Sequence, residues 1–179
     1  MSKSEHNDIQ AKFLKAVEQE GDSLYRHSLI RVSDRETAFD LVQDTYMKSW
    51  EYISRGKDIS NMRAFLFRVL NNSIIDYYRK KKSYSLESMV DEETPLEVFA
   101  DLQDHSFESW ANQHDGAQIV SWIADLPDMY KQALTLRFVE GFSPKEISEM
   151  IEESENVVSV RIHRGLQKLR DIAQSYDSQ

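Results

Sequence analysis

Arg161, Arg164, Lys168 and Arg170 recur at intervals of three, four and two in the stretch SENVVSVRIHRGLQKLR, and Glu155 is the one acid among them. Guanidinium and ammonium groups displayed this way suit phosphate oxygens and base edges. Bond-making chemistry has far less to work with. The chain contains no HExxH, G-x-S-x-G, P-loop or GxGxxG pattern and no cysteine. Its five histidines (His6, His27, His105, His114, His163) have no metal-ligand spacing. The expectation is a binding protein, not an enzyme, with no cofactor and no metal.

The elements that must position those cations are legible just upstream. Gly141 stands where a helix C-terminal cap belongs. Ser143, Pro144 and Glu146 then give the S-x-x-E capping box with Pro at the first helical position, and Phe142 and Ile147 are placed as a hydrophobic staple. A short helix with Ile147, Met150 and Ile151 on its buried face follows. Ser154 offers a second N-cap, and the last helix buries Val158, Ile162, Leu166 and Leu169. Two helices joined by a tight turn make a helix-turn-helix layout, in which the first helix braces the second across a major groove. A helical hairpin with a solvated basic face carries the same local pattern, so this stretch alone leaves both readings open.

The chain has 179 residues with 31 acids, 22 Lys plus Arg and a net charge of -9. The acidity is local. Residues 83–116 hold nine carboxylates and no Lys or Arg, and without them acids and bases balance at 22 each. The global charge is therefore no argument against nucleic-acid binding. Five Gly and three Pro in long uninterrupted runs disfavour a β-rich fold. The N-terminal MSKSEHNDIQAKF lacks a signal-peptide core, and no run approaches eighteen apolar residues. These features predict a cytoplasmic chain without membrane insertion.

The periodicity predicts helices over residues 8–32, broken near Gly21, and over 37–53, where Ala38, Leu41, Val42, Thr45, Tyr46, Ser49, Trp50 and Ile53 recur at three and four. SRGKDIS, residues 54–60, is a loop. Residues 61–80 form a third helix, buried through Met62, Phe65, Leu66, Val69 and Ser73 and widened by Phe67, Leu70, Ile74 and Tyr77. Further helices open at Ile119 and at the LPD of residues 126–128. The fold class is all-α: two small helical domains joined by an acidic linker, the C-terminal one a helix-turn-helix. The expected boundaries are 1–82, 83–116 (with one short helix) and 117–179.

LPDMYKQALTLRFVEGFSPKEISEMIEESENVVSVRIHRGLQKLR resembles the C-terminal promoter-binding domain of bacterial sigma factors of the small extracytoplasmic-function type. SLYRHSLIRVSDRETAFDLVQDTYMKSW and FLFRVLNNSIIDYYRKKK resemble the N-terminal domain of the same family, in the expected order. The resemblance implies a promoter-specificity subunit that binds core RNA polymerase and promoter DNA, with an anti-sigma protein as a further candidate partner. Asp40, Gln43, Asp44, Met47 and Glu51 lie opposite the apolar stripe of their helix and match the face that docks on the polymerase clamp; a solvated face is the competing reading. Arg68, Asn72 and Arg79 share a stripe on the helix that opens the −10 element. Asn72 matches a position contacting an extruded base, where an amide can both donate and accept. Arg55 and Lys57 match the loop that helps hold that base. Arg79, Lys80, Lys81 and Lys82 are expected to grip backbone phosphate. Tyr77 is expected in the core, with Tyr78 open.

For the upstream (−35) element the resemblance implies Ser143 and Lys145 at a helix N-terminus, and Asn156, Val157, Ser159, Val160, Arg161, His163 and Arg164 on the recognition helix. The family usually has Gly in the turn and a basic residue where Ser159 stands. This chain has Glu152 and Glu153 at the turn, so its approach to DNA is more acidic. The acidic linker reads equally as a phosphate mimic inside polymerase channels or as a solubilising tether. The competing functions are a stand-alone helix-turn-helix regulator acting on a palindromic operator, and a sigma-like protein that only sequesters a partner.

Overall fold

The computed structural model describes residues 3–57, 59–84 and 110–177, with side chains from 7 to 57, 59 to 81 and 110 to 176. The chain divides into two compact units, residues 1–88 and 89–179.

The first unit packs α1 (Lys3–Val32), α2 (Arg35–Ser54) and α3 (Met62–Tyr84) against one another. Each junction has a local cause. Ser33 takes φ 55° after α1, and the Asp34 carboxylate accepts from Thr37 N–H at 2.7 Å to cap α2. Hydrogen bonding from Thr37, through its side chain first and its backbone N–H second, holds the Asp34 carboxyl below its usual range. Asn61 caps α3 in the same way, through Ala64 N–H at 3.0 Å.

The expected break at Gly21 does not occur; α1 is continuous. A mid-helix Gly costs about 1 kcal/mol relative to Ala, which tertiary packing readily offsets. The reason for Gly here is space: a Cβ at Gly21 would lie 3.3 Å from the Tyr46 hydroxyl oxygen on α2. The burial of α3 is also rotated from the expected face. Leu66, Phe67, Leu70, Asn71, Ser73 and Ile74 are buried, while Met62, Phe65, Val69 and Tyr77 are half-buried and leave one flank of the helix open.

That rotation puts a polar network in the core. Asn71 Nδ2 donates to Phe67 O at 2.8 Å, which orients the amide. Its Oδ1 then accepts from Arg31 Nη1 at 3.0 Å and lies 3.3 Å from His27 Nε2. His27 is therefore the Nε2–H tautomer. Its Nδ1 is buried with no hydrogen-bond partner among the described residues. Burial, reinforced by the Arg31 charge, lowers the His27 pKa to about 3, against the opposing pull of the Asn71 bond. Tyr78 also serves the fold, since its hydroxyl donates to Arg31 O at 2.5 Å.

An acid sensitivity follows. The folded pKa lies below the unfolded one, so the unfolded chain binds the extra proton first. Stability of the first unit should be full above pH 6.5 and fall by up to about 1.4 kcal/mol per pH unit below it, down to the folded value. Urea midpoints of a Trp110→Phe, Trp122→Phe chain, read by Trp50 fluorescence, should drop between pH 6.5 and 4.5. His27→Leu should flatten that drop, and an unchanged slope would remove His27 as its source.

The second unit contains α4 (Gly116–Ala124), α5 (Asp128–Leu134, running on as a π-helical turn over Thr135–Val139), α6 (Pro144–Ile151) and α7 (Glu155–Asp177). Asp115 caps α4 through Ala117 N–H at 3.0 Å. Gly141, at φ 77°, reverses the chain after the π turn. Ser143 and Glu146 form the full capping box, Phe142 and Ile147 are buried beside it, and Ser154 Oγ accepts from Val157 N–H at 3.2 Å. The core is closed by Ile123, Leu134, Leu136, Met150, Val158, Ile162, Leu166 and Leu169.

The end of the acidic stretch belongs to this unit: the Trp110 ring lies 4.7 Å from His114 and 6.2 Å from Trp122. Residues 85–109, with the expected short helix and the phosphate-mimic reading, lie outside the described residues. No helix among the described residues is long and apolar enough to cross a membrane.

Candidate polymerase and nucleic-acid interfaces

The outer face of α2 carries apolar side chains that the described residues of the first unit leave exposed. Met47 is 71% and Phe39 56% exposed, with Asp40 and Gln43 exposed between them. Phe39 was not anticipated; its signal is the four-residue step Phe39–Gln43–Met47 off the buried stripe. Asp44 is half-buried and held from two sides, by Lys48 Nζ at 2.7 Å and by Ser73 Oγ at 3.0 Å. Glu51 pairs with Arg55 Nη2 at 2.5 Å. The structure thus joins a residue expected to face polymerase with one expected to face DNA.

Where α3 leaves its flank open, a pocket of about 400 Å³ lies between α2 and α3. Tyr52 and Phe65 line it as one aromatic surface, their ring centroids 5.0 Å apart, and Val69 adds an apolar side chain. Asn72 and Arg68 line the pocket with Lys48 and Ser73. Lys57 lies 5.3 Å from the centre of the Tyr52 ring, which ties the preceding loop to the pocket wall. The two adjacent asparagines therefore part company: Asn71 is a core residue and Asn72 faces the pocket.

Arg79, Lys80 and Lys81 are exposed farther along α3. Arg79 pairs with Asp76 at 2.9 Å and Lys81 lies 5.8 Å over Tyr77. The side chain of Lys82 lies outside the described residues. Lys48, Tyr52, Phe65 and Ser73 were not expected in the pocket. Phe65 and Ser73 fit a buried stripe equally well, and their place depends on how α3 is rotated.

In the second unit Asn156 is exposed at the start of α7, and Val157, Ser159, Arg161, His163 and Arg164 are half-buried. Val160 departs from expectation. It is 8% exposed, and a buried side chain cannot reach a base edge. Ser159 and His163 line a 220 Å³ pocket with Arg137 and Glu155, and His163 Nε2 also lies 3.2 Å from Gln167 Nε2. The Ser143 hydroxyl is committed to the Glu146 carboxylate at 2.8 Å, which already places a negative charge at that helix N-terminus. Lys145 beside it is exposed.

Two family profiles match the chain: sigma-70 region 2 over residues 16–84 and sigma-70 region 4 over residues 117–169. Among curated proteins it is 30% identical over 142 residues to the RNA polymerase sigma factor SigZ of Bacillus subtilis, covering 79% of this chain and 76% of that one. It is 29% identical over 151 residues to the ECF RNA polymerase sigma factor SigM of the same organism, covering 83% and 87%. The chain belongs to the extracytoplasmic-function RNA polymerase sigma factors. The fold of this sigma factor is also that of RpoE from Bartonella quintana, solved with the anti-sigma factor NepR (TM-score 0.67, 23% identity, 93% and 97% of the two chains). CnrH, solved with the cytosolic domain of CnrY, shares it too (TM-score 0.66, 20% identity, 96% and 94%). A stand-alone regulator gains no support from these matches.

The sigma factor solves its unusual turn in two ways. Glu152 takes the left-handed conformation, φ 57°, that the family's Gly adopts without strain. Glu153 reaches across to Arg161, with Oε1 2.8 Å from Nη2. Glu153 is therefore paired with the first arginine of α7, whose side chain is 15% exposed.

Proposed function

We propose that this sigma factor docks on core polymerase through the outer face of α2, captures one extruded −10 base between α2 and α3, and reads the −35 element with the N-terminal half of α7. It acts by binding and positioning, with no reaction of its own, in the cytoplasm where polymerase and promoters meet. The proposed division of labour is residues 1–82 for docking and the −10 element, 83–116 as connector and 117–179 for the −35 element.

The observation that carries the reading is the pocket. It has an aromatic surface and a volume able to hold a base, and Asn72 and Arg68 line it one turn apart. Capturing a base there offsets the few kcal/mol spent on unstacking it. The neighbouring face, with Met47 and Phe39 exposed between Asp40 and Gln43, supports docking in the same unit. An anti-sigma protein is proposed as a further partner, by analogy with RpoE bound to NepR.

The test compares three variants in open-complex assays with core polymerase. Asn72→Ala should lower opening of duplex promoters and alter preference at one base position. Arg79→Ala should weaken all promoters alike and reduce the salt dependence. Asn71→Ala should lower the stability of the first unit, since it strips partners from buried His27 and Arg31. Identical promoter profiles for Asn72→Ala and Arg79→Ala would reduce the α3 stripe to plain electrostatics.

A further inference from the structure

Ile75 lies on the solvent side of α3 and is 46% exposed. At about 100° per residue, Arg68, Asn72, Ile75 and Arg79 fall within one stripe about 60° wide, opposite the buried side formed by Leu66, Phe67, Leu70 and Ile74. Arg79 is drawn to Asp76 at 2.9 Å, on the far side of the stripe from Ile75. A lone exposed isoleucine is ordinary on a protein surface. This one is set apart by its neighbours along the helix: the pocket residues Arg68 and Asn72 before it, and exposed Arg79 and Lys80 after it. Nor does the helix gain from it, since a β-branched residue is a slightly poorer helix former than Lys or Arg.

Cations along such a face meet phosphate oxygens and carry no sequence information. An aliphatic side chain among them cannot hydrogen-bond. A phosphate or a base amine pressed against it would lose hydration and gain no partner. The C5 methyl of thymine is the apolar group on the base edges of the major groove, and it suits such a side chain. Ile75 follows Asn72 by three residues, about 4.5 Å along the helix axis, against about 3.4 Å per nucleotide along a DNA strand. A base seated at Asn72 would therefore bring the edge of the adjoining nucleotide within reach of Ile75.

We propose that Ile75 is a specificity-determining residue that selects thymine beside the captured base, through contact with the C5 methyl. The inference rests on the base-capture reading above for its register, which makes the selected position a neighbour of the captured one. The contact itself is burial of a methyl group and is separate from the hydrogen bonding assigned to Asn72. Burying one methyl gives a preference of about fourfold.

The experiment uses the full chain reconstituted with core polymerase on duplex promoters. Each pair of the −10 element carries thymine in turn, on either strand, and then uracil, which keeps the pairing edge and lacks the methyl. Open-complex formation is compared at equal core occupancy. The parent should prefer thymine to uracil about fourfold at one position, next to the one whose preference Asn72→Ala alters. Ile75→Ala, a change at an exposed side chain, should treat thymine and uracil alike there. Ile75→Val, one methylene shorter, should keep about a twofold preference. No thymine preference in the parent, or one that survives in Ile75→Ala, would overturn the inference; the pocket reading stays intact if Asn72→Ala still alters its own position. A uracil effect at the Asn72 position itself would place the methyl in the pocket and overturn the inference as well. If Ile75→Ala abolishes the thymine preference while Asn72→Ala alters no position, the pocket reading fails and the methyl contact stands without it.

Discussion

Replacing Asp44 by Arg is expected to weaken association with core RNA polymerase by about 30-fold to several thousand-fold, the range for breaking a desolvated charge contact at an interface (about 2–5 kcal/mol). Asp44 lies at the α3 side of the α2 outer face, beside exposed Gln43 and Met47. Its carboxylate already gathers Lys48 and Ser73, so an arginine there would reverse the charge facing polymerase and also repel Lys48. Helical content should not change, because α2 is anchored from its other side by Ala38, Leu41, Val42, Thr45 and Ile53. Asp40→Arg, one turn earlier on the exposed surface, separates the two effects. It should lose core binding comparably while leaving base discrimination at saturating polymerase unchanged. Association is measured by titrating labelled sigma factor with core enzyme, alongside circular dichroism. Parental affinity in both variants would remove α2 as the docking element.

The other large effect is expected in the second unit. Removing Arg161 and Arg164 together should cost holoenzyme at least about 5- to 160-fold in affinity for promoters that depend on the −35 element, the loss of one good base contact, worth about 1–3 kcal/mol. Neither arginine is among the buried core residues, so folding should survive. The pairing of Arg161 with Glu153 shapes the rest of the expectation. Arg161 must exchange a carboxylate for DNA when it binds, and part of the gain is offset by that exchange. Glu153→Lys removes the competing carboxylate and adds a cation near the phosphates. It should tighten −35 binding at low salt, with the gain fading as the Debye length falls to about 10 Å near 0.1 M. Binding is followed by equilibrium titration of promoter duplex across a salt series. Parental affinity in the double Ala variant would mean that α7 is not the recognition helix.

The sequence by itself determined the all-helical class, the helix-turn-helix and the order of the two matched regions. Those signals are local. The capping box at Ser143, the cap at Asp34 and the stripe from Ala38 to Ile53 are written within a few residues of where they act. The exposed outer face of α2 was legible for the same reason, because residues off a strong buried stripe are exposed whatever the stripe packs against.

Only the tertiary structure decided which of two neighbouring asparagines faces the pocket. Asn71 and Asn72 differ by one helical step, about 100°, and the rotation of α3 is set by His27 and Arg31 on a helix some forty residues away. The same holds for Gly21, whose neighbour Tyr46 lies on another helix, so a residue that looks like a breaker is a fitted contact. Ser143 and Arg161 show the limit for charges. Their residue types suit a DNA contact, but side-chain geometry commits the hydroxyl of one to Glu146 and the guanidinium of the other to Glu153. Spacing along a chain specifies which face a residue occupies; the partner it meets there depends on long-range packing.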